Sequence, residues 1–208
     1  MAMKSVSPTA APTQASVVEV ADTNSVAVLP FVDMSPAKDQ EYFTDGLTEN
    51  LLHALAQIQE LKVAGRTSSF SFKGKNEDLR EIGATLDVAH VLEGSVQKAN
   101  DRVRVTAQLI RASDGFHMWS QNYTRPLEDI FAIQDEITEN VIGCIQPGVY
   151  AAEHDRLKRK PPQSLDAWES FVRGLFLYSQ HSDASTKDSL KMLERAISLD
   201  PCYAQAHG

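Results

Sequence analysis

At 208 residues, 42% of them hydrophobic, the chain is long enough for one moderate domain with a core of its own plus an appendage. Its formal charge of −8 and isoelectric point near 5.2 argue against a nucleic-acid binder, because affinity for phosphate backbones rests on clustered Lys and Arg. Two cysteines, Cys144 and Cys202, make neither a disulfide framework nor a metal site by themselves, and the sequence holds no run of about 20 apolar residues that would span a bilayer.

Residues 1–24 are rich in Ala, Ser, Thr and Pro without a sustained period and read as a disordered linker. Lys4 is followed by Ser, Pro and Thr rather than an apolar stretch, so no signal peptide is expected. Val26 to Phe31 is a short apolar run, a buried strand. From Tyr42 to Gln59, Phe43, Leu47, Leu51, Leu55 and Ile58 recur at steps of three and four, which predicts an amphipathic helix. Leu61 to Ala64 reads as a second strand, followed by a polar loop, Gly65 to Ser69, and a short helix from Asp78 to Leu86.

The period then changes to two. Val88–Lys98 and Arg102–Arg111 alternate around the hairpin signal Ala99-Asn100-Asp101, and Ser113-Asp114-Gly115 turns the chain into a third strand, Phe116–Tyr123. A long helix is expected from Pro126, with Ile130, Ile133, Ile137, Val141 and Ile145 inward. Pro147-Gly148 should break it, and a further helical stretch should run to Lys160. Pro161-Pro162 is the clearest domain boundary. Beyond it, Ala167–Gln180 and Lys187–Leu199 read as a helical pair. Its closing Ala196-Ile197-Ser198-Leu199-Asp200-Pro201 matches the end of a tetratricopeptide repeat, with Ser182-Asp183-Ala184 as an insertion in the inter-helix turn. The pair and the residues Cys202–Gly208 suggest the start of a longer array, and so a piece of a longer protein. The expected fold is α/β (α+β): a mixed sheet from two βα units and a three-stranded meander, packed with helices and followed by a helical hairpin. The expected divisions are 1–24, 25–160 and 161–208.

The stretches "VAVLPFVDMSPAKDQEYFTDGLTENLLHAL", "GRTSSFSFKGK", "VLEGSVQKANDRVRVTAQLIRASDGFHMWSQNY" and "LEDIFAIQDEITENV" closely resemble the TolB amino-terminal-like (FlgO-like) module of bacterial signalling proteins. In that family the module often follows a class III adenylate cyclase domain, elsewhere a winged-helix domain of the CadC type, frequently with a membrane span between, and tetratricopeptide repeats come next. The resemblance implies an α/β fold, a signalling role without catalytic residues of its own, and a periplasmic position behind an inner-membrane span, with a cytoplasmic one as the alternative.

The residues themselves offer few chemical motifs. The loop from Pro30 to Tyr42 has no glycine, and neither a Walker-type nor a dinucleotide-binding string occurs, so no phosphate cradle is expected. Asp39 and Glu41 fit the start of a helix. The six histidines form no H-x-x-x-H pattern, although His90 and His117 could meet across strands, and no G-x-S-x-G elbow is present. No cofactor and no metal is therefore expected. Trp168 is expected to pack within the helical repeat. The most interesting polar groups are Asp33 and Asp45 after the first strand and Arg66, Ser68 and Ser69 after the second. Both loops follow the carboxyl ends of strands, where open α/β sheets gather ligands. They would form one crevice, in which Arg66 pairs with Asp33 or Asp45. Glu49, one turn beyond Asp45, shares its helical face. The expected role is a non-catalytic regulatory or scaffolding region contacting protein partners through the repeat surface, with a homodimer through Leu175, Leu190, Leu193 and Ile197 as one form of association. The alternative is a small-ligand sensor using the crevice near Asp33 and Arg66.

Overall fold

In the computed structural model the described residues are 22–147 and 164–201. They form a mixed α/β fold whose six-stranded sheet is packed with helices, plus a C-terminal helical pair. The strands are β1 (Ser25–Val28), β2 (Val32–Asp33), β3 (Lys62–Val63), β4 (His90–Ala99), β5 (Arg102–Arg111) and β6 (His117–Pro126). The helices are α1 (Glu41–Ala56), α2 (Arg66–Phe70), α3 (Leu79–Leu86), α4 (Ile130–Ile145), α5 (Leu165–Ser179) and α6 (Asp183–Leu199).

The sheet runs β3-β1-β4-β5-β6, with β2 also paired to β4. β1 is parallel to both neighbours, β3 and β4, as a strand–helix–strand unit dictates, and β4–β5–β6 are antiparallel. All four residues of β1 are buried because both its faces are covered. Val26 and Val28 join the main core with Leu92, Val96, Leu109 and the apolar stripes of α1 and α4. Ala27 and Leu29 face a smaller cluster with Val91, Ile82 of α3 and Phe72.

The expected strand Val26–Phe31 is interrupted. Pro30 has no N–H for the ladder. The next N–H, that of Phe31, leaves the sheet and donates to Thr48 Oγ1 of α1 at 3.0 Å. Pairing resumes in β2, opposite Ser95 and Val96. Phe31 lies over Gly94, where a Cβ would come within 2.5 Å of the ring. Gly94 is therefore the position that lets the aromatic side chain cross β4.

Other elements differ from the sequence reading in instructive ways. Gly65–Ser69 is no loop: Gly65 is the N-cap of α2, and its carbonyl accepts from Ser69 N–H. Pro126 ends β6 instead of opening a helix; Leu127 N–H is held by Asp101 O at 2.7 Å, and a 3-10 turn, Leu127–Asp129, precedes α4. Ser182 caps α6 through a reciprocal pair with Ser185, so the expected insertion Ser182-Asp183-Ala184 starts the helix. The hairpin turn falls at Asn100, with φ of 54°. The expected linker up to residue 21, the helical stretch from 148 to Lys160, Pro161-Pro162 and Cys202–Gly208 lie outside the described residues.

Candidate functional site

The polar groups singled out in the sequence gather around α1. Glu41, Asp45 and Glu49 stand at i, i+4 and i+8 and so line one face of the helix. α2 and the turn after it bring two cations to that face. Lys73 Nζ lies 2.7 Å from Asp45 and 2.7 Å from Glu41. Arg66 Nε lies 2.5 Å from Glu49 Oε1, and its guanidinium covers the Phe70 ring at 4.2 Å. The pairing expected between Arg66 and Asp33 or Asp45 is thus replaced: Glu49 takes Arg66, and Lys73, from further along the chain, takes Asp45.

Burial pushes the Asp45 carboxyl above its ordinary range, and the Lys73 ammonium only partly offsets this. Lys73 is held above its ordinary value: burial works against its charge, but the bonds to Asp45 and Glu41 prevail.

Asp33 belongs elsewhere. Its carboxylate accepts from Ser35 N–H at 2.8 Å and Gln40 N–H at 2.9 Å, closing the loop before α1. Burial opposes its charge, yet these bonds outweigh it and lower the pKa. Ser68 is exposed, and its carbonyl accepts from Ser71 Oγ at 2.7 Å. Ser69 is fully buried, its Oγ without a partner among the described residues. Of the five named residues, the structure brings Asp45 and Arg66 into one cleft and leaves Asp33, Ser68 and Ser69 out of its lining.

That cleft is closed on its other side by α5, which contributes Val172, Leu175, Phe176 and Ser179. Its free volume, about 20 Å³, suits a water molecule. The participation of α5 was not legible in the sequence. Trp168 is fully buried and meets Phe43 of α1 edge-on at 5.1 Å and Phe131 of α4 at 5.6 Å. Val172 sits against Gly46, where a Cβ would lie 2.7 Å from Val172 Cβ and closer still to Cγ1. Lys98 of β4 bonds Glu169 and lies 4.9 Å over the Phe43 ring, while Arg173 lies 5.5 Å over Tyr42. Trp168 therefore packs into the α/β core, not within the helical pair. Gly46 is the one sequence signal that could have pointed there: a glycine in mid-helix needs a packing reason.

The remaining candidates are structural. His90 is paired in register with Arg111, not His117, and its Nδ1 lies 3.0 Å from Ser25 O. Cys144 is half-buried, and burial raises its thiol pKa. Among the described residues no group of three His, Cys, Asp or Glu has metal-site geometry, and no helix is long and apolar enough to cross a membrane.

A family model described as the second domain of HilA/YgeH-like transcriptional regulators matches residues 21–140. A protein of Rhizobium meliloti (strain 1021), named as a candidate adenylate cyclase, is 39% identical over 183 residues, or 88% of this chain. The chain spans 31% of that relative's length. Among solved structures, TolB from Acinetobacter baumannii shares 11% identity at a TM-score of 0.43, covering 59% of this chain and 28% of its own. Lipoprotein GNA1162 from Neisseria meningitidis shares 17% at 0.44, covering 58% and 96%. Scores at this level describe a loose likeness of shape.

Proposed function

The chain belongs to the HilA/YgeH-like second-domain family, and we propose that it is a non-catalytic regulatory and scaffolding segment of a bacterial signalling protein, positioned C-terminal to an adenylate cyclase catalytic domain. The carrying observation is how the polar groups at the cleft are used. Asp45 and Glu41 are bound by Lys73, Glu49 by Arg66, and the Asp33 carboxylate by its own loop. Groups committed in this way fix a shape; they do not activate a nucleophile or hold a phosphate. The likeness to a protein named as an adenylate cyclase, of which this chain covers 31%, supports that parent.

The α5–α6 pair is the contact surface in this reading, as the opening of a tetratricopeptide array. Gly174 seats Leu193, as the small-and-large exchange of such a pair requires, and Leu190 and Tyr178 are left exposed. The purified chain should form no cyclic AMP from ATP with magnesium or manganese, and deleting the equivalent region from a full-length parent should change that parent's cyclase output. Cyclic AMP formation by the chain, abolished by a point change within it, overturns the reading. The periplasmic placement rests on the resemblance to the TolB amino-terminal-like module. A reporter fusion active only outside the cytoplasm supports it, and one active only inside favours the cytoplasmic alternative.

A further inference from the structure

The sheet has, among the described residues, one long unpaired side. Among the described residues nothing pairs with the outer edge of β6, and Ser120, Gln121, Asn122 and Thr124 are exposed. Edge strands are ordinarily blunted by charge, proline or bulges. Here those devices sit at the ends: His117 beside the irregularity at Leu109/Ile110, and Arg125-Pro126 at the other terminus. From Met118 to Thr124 the edge carries no charge and no proline.

The register fixes which main-chain groups point outward. Leu127 N–H donates to Asp101 O, so that opposed pair is a hydrogen-bonded one. The two kinds of pair alternate along an antiparallel ladder. Arg125, Tyr123, Gln121 and Trp119 therefore bond inward to Val103, Val105, Ala107 and Leu109, while Thr124, Asn122 and Ser120 direct N–H and C=O away from β5.

We propose that the β6 edge is a self-association surface, on which a second copy of this chain adds its own β6 antiparallel about a two-fold axis at Asn122. A two-fold at Gln121 pairs Ser120 with Asn122 through outward groups, but its next pair sets Thr124 against Met118, the extra residue at the irregularity between Leu109 and Ile110, and so leaves about four such bonds. One at Thr124 would set Pro126, which has no N–H, against an acceptor. At Asn122 every outward donor meets an outward acceptor, giving about six main-chain hydrogen bonds, two for each reciprocal pair. The side chains agree. Asn122 faces its copy, Ser120 faces Thr124 and Gln121 faces Tyr123. Trp119 comes opposite Arg125, whose guanidinium stays bonded to Glu136, and no two like charges are opposed. Self-pairing here is independent of any role for the helical pair and of the parent's activity.

The test is the mass of the full chain in solution, by sedimentation or light scattering, which should be that of a dimer. Asn122→Pro removes an outward N–H and leaves the β5 ladder whole, so it should give a monomer with unchanged circular dichroism. Asn122→Lys sets two ammonium groups across the axis and should give a monomer that salt partly returns to dimer. With Cys144→Ser and Cys202→Ser, Asn122→Cys should form a disulfide dimer on mild oxidation, and Thr106→Cys, on the inner strand, should not. A monomeric parent chain overturns the proposal. So does a dimer that both Asn122 variants leave intact, since the contact would then lie elsewhere.

Discussion

Replacing Gly46 by alanine should loosen the joint between α1 and α5, and the size of the effect follows from one contact. The added Cβ would stand 2.7 Å from Val172 Cβ, against an ordinary carbon–carbon separation of about 3.5–4.0 Å. Rotating Val172 does not help, because its Cβ is itself in the way and a helical valine has essentially one rotamer. α5 must back off by about 1 Å, or α1 must bend. Overpacking of this kind costs about 1–3 kcal/mol. An exposed Gly→Ala change in a helix would gain about 1 kcal/mol, so the net effect should be a loss of up to about 2 kcal/mol, opposite in sign to helix propensity. Val172→Gly alone should cost about 2–4 kcal/mol, from a lost buried valine and a helical glycine. The double variant exchanges the small and large partners and removes the clash. It should be more stable than the sum of the single changes by about 1–3 kcal/mol. Urea unfolding followed by tryptophan fluorescence measures all four corners, since Trp168 lies one helical turn from Val172. Additive single effects would refute the packing argument.

Trp168→Ala should cost about 3–5 kcal/mol, while Trp168→Phe should cost clearly less, because the indole N–H has no partner among the described residues; equal losses in thermal unfolding would count against this. Lys73→Met should destabilise by about 1–3 kcal/mol at neutral pH. Asp45 has a raised folded pKa, so its contribution is favourable below the unfolded value of 3.8 and fades as pH rises through the folded one. Without Lys73 that decline should steepen, and a pH-independent difference between variant and parent would contradict it. Asp33 is the opposite case: its lowered pKa contributes stability above 3.8 that is lost as pH falls through the folded value, so Asp33→Asn should be destabilising near neutrality and indistinguishable from the parent in acid. Arg66→Ala should cost at most about 1 kcal/mol, because Arg66 is half exposed and bonds the surface carboxylate of Glu49; a loss of several kcal/mol in thermal unfolding would show that the cleft depends on it.

What the sequence revealed and withheld follows from the range of each interaction. The apolar steps of α1 and α4, the alternation in β4 and β5, and the return of β3 beside β1 are set by local period and by the geometry of a strand–helix–strand unit, whereas the pairing of β1 with β4 comes from the long-range fold. The acids of α1 were legible as one face because i, i+4 spacing is local. Their partners were not, since Arg66 and Lys73 lie 17 and 28 residues away from the carboxylates they bind. α2 was hidden because Gly-Arg-Thr-Ser-Ser carries turn-forming residues, and only the tertiary setting of Gly65 as an N-cap turns them into a helix. The destination of Trp168 was the hardest, because the pattern of α5 fits a repeat helix and a docked helix equally well.

That docking bears on how the segment could regulate a neighbour. Trp168 and Val172 belong to the same buried cluster as Phe43, Leu47 and Ile133. The core of the α/β fold therefore continues into a helix beyond the expected boundary at Pro161-Pro162. A flexible tether would let the α5–α6 pair bind a partner without consequence for the sheet. A helix locked by a buried tryptophan, a valine seated on a glycine and the Lys98–Glu169 pair does not. Any ligand of the exposed side of α6, around Leu190, acts on a body that already includes α5, α1 and β1, because packed interiors respond as units. The Gly46–Val172 contact is the seam at which that coupling should fail first, since a Cβ at Gly46 would already lie 2.7 Å from Val172 Cβ. Weakening it should uncouple the pair from the sheet before either unfolds, seen as protease sensitivity appearing in α5 and α6 ahead of β4 and β5.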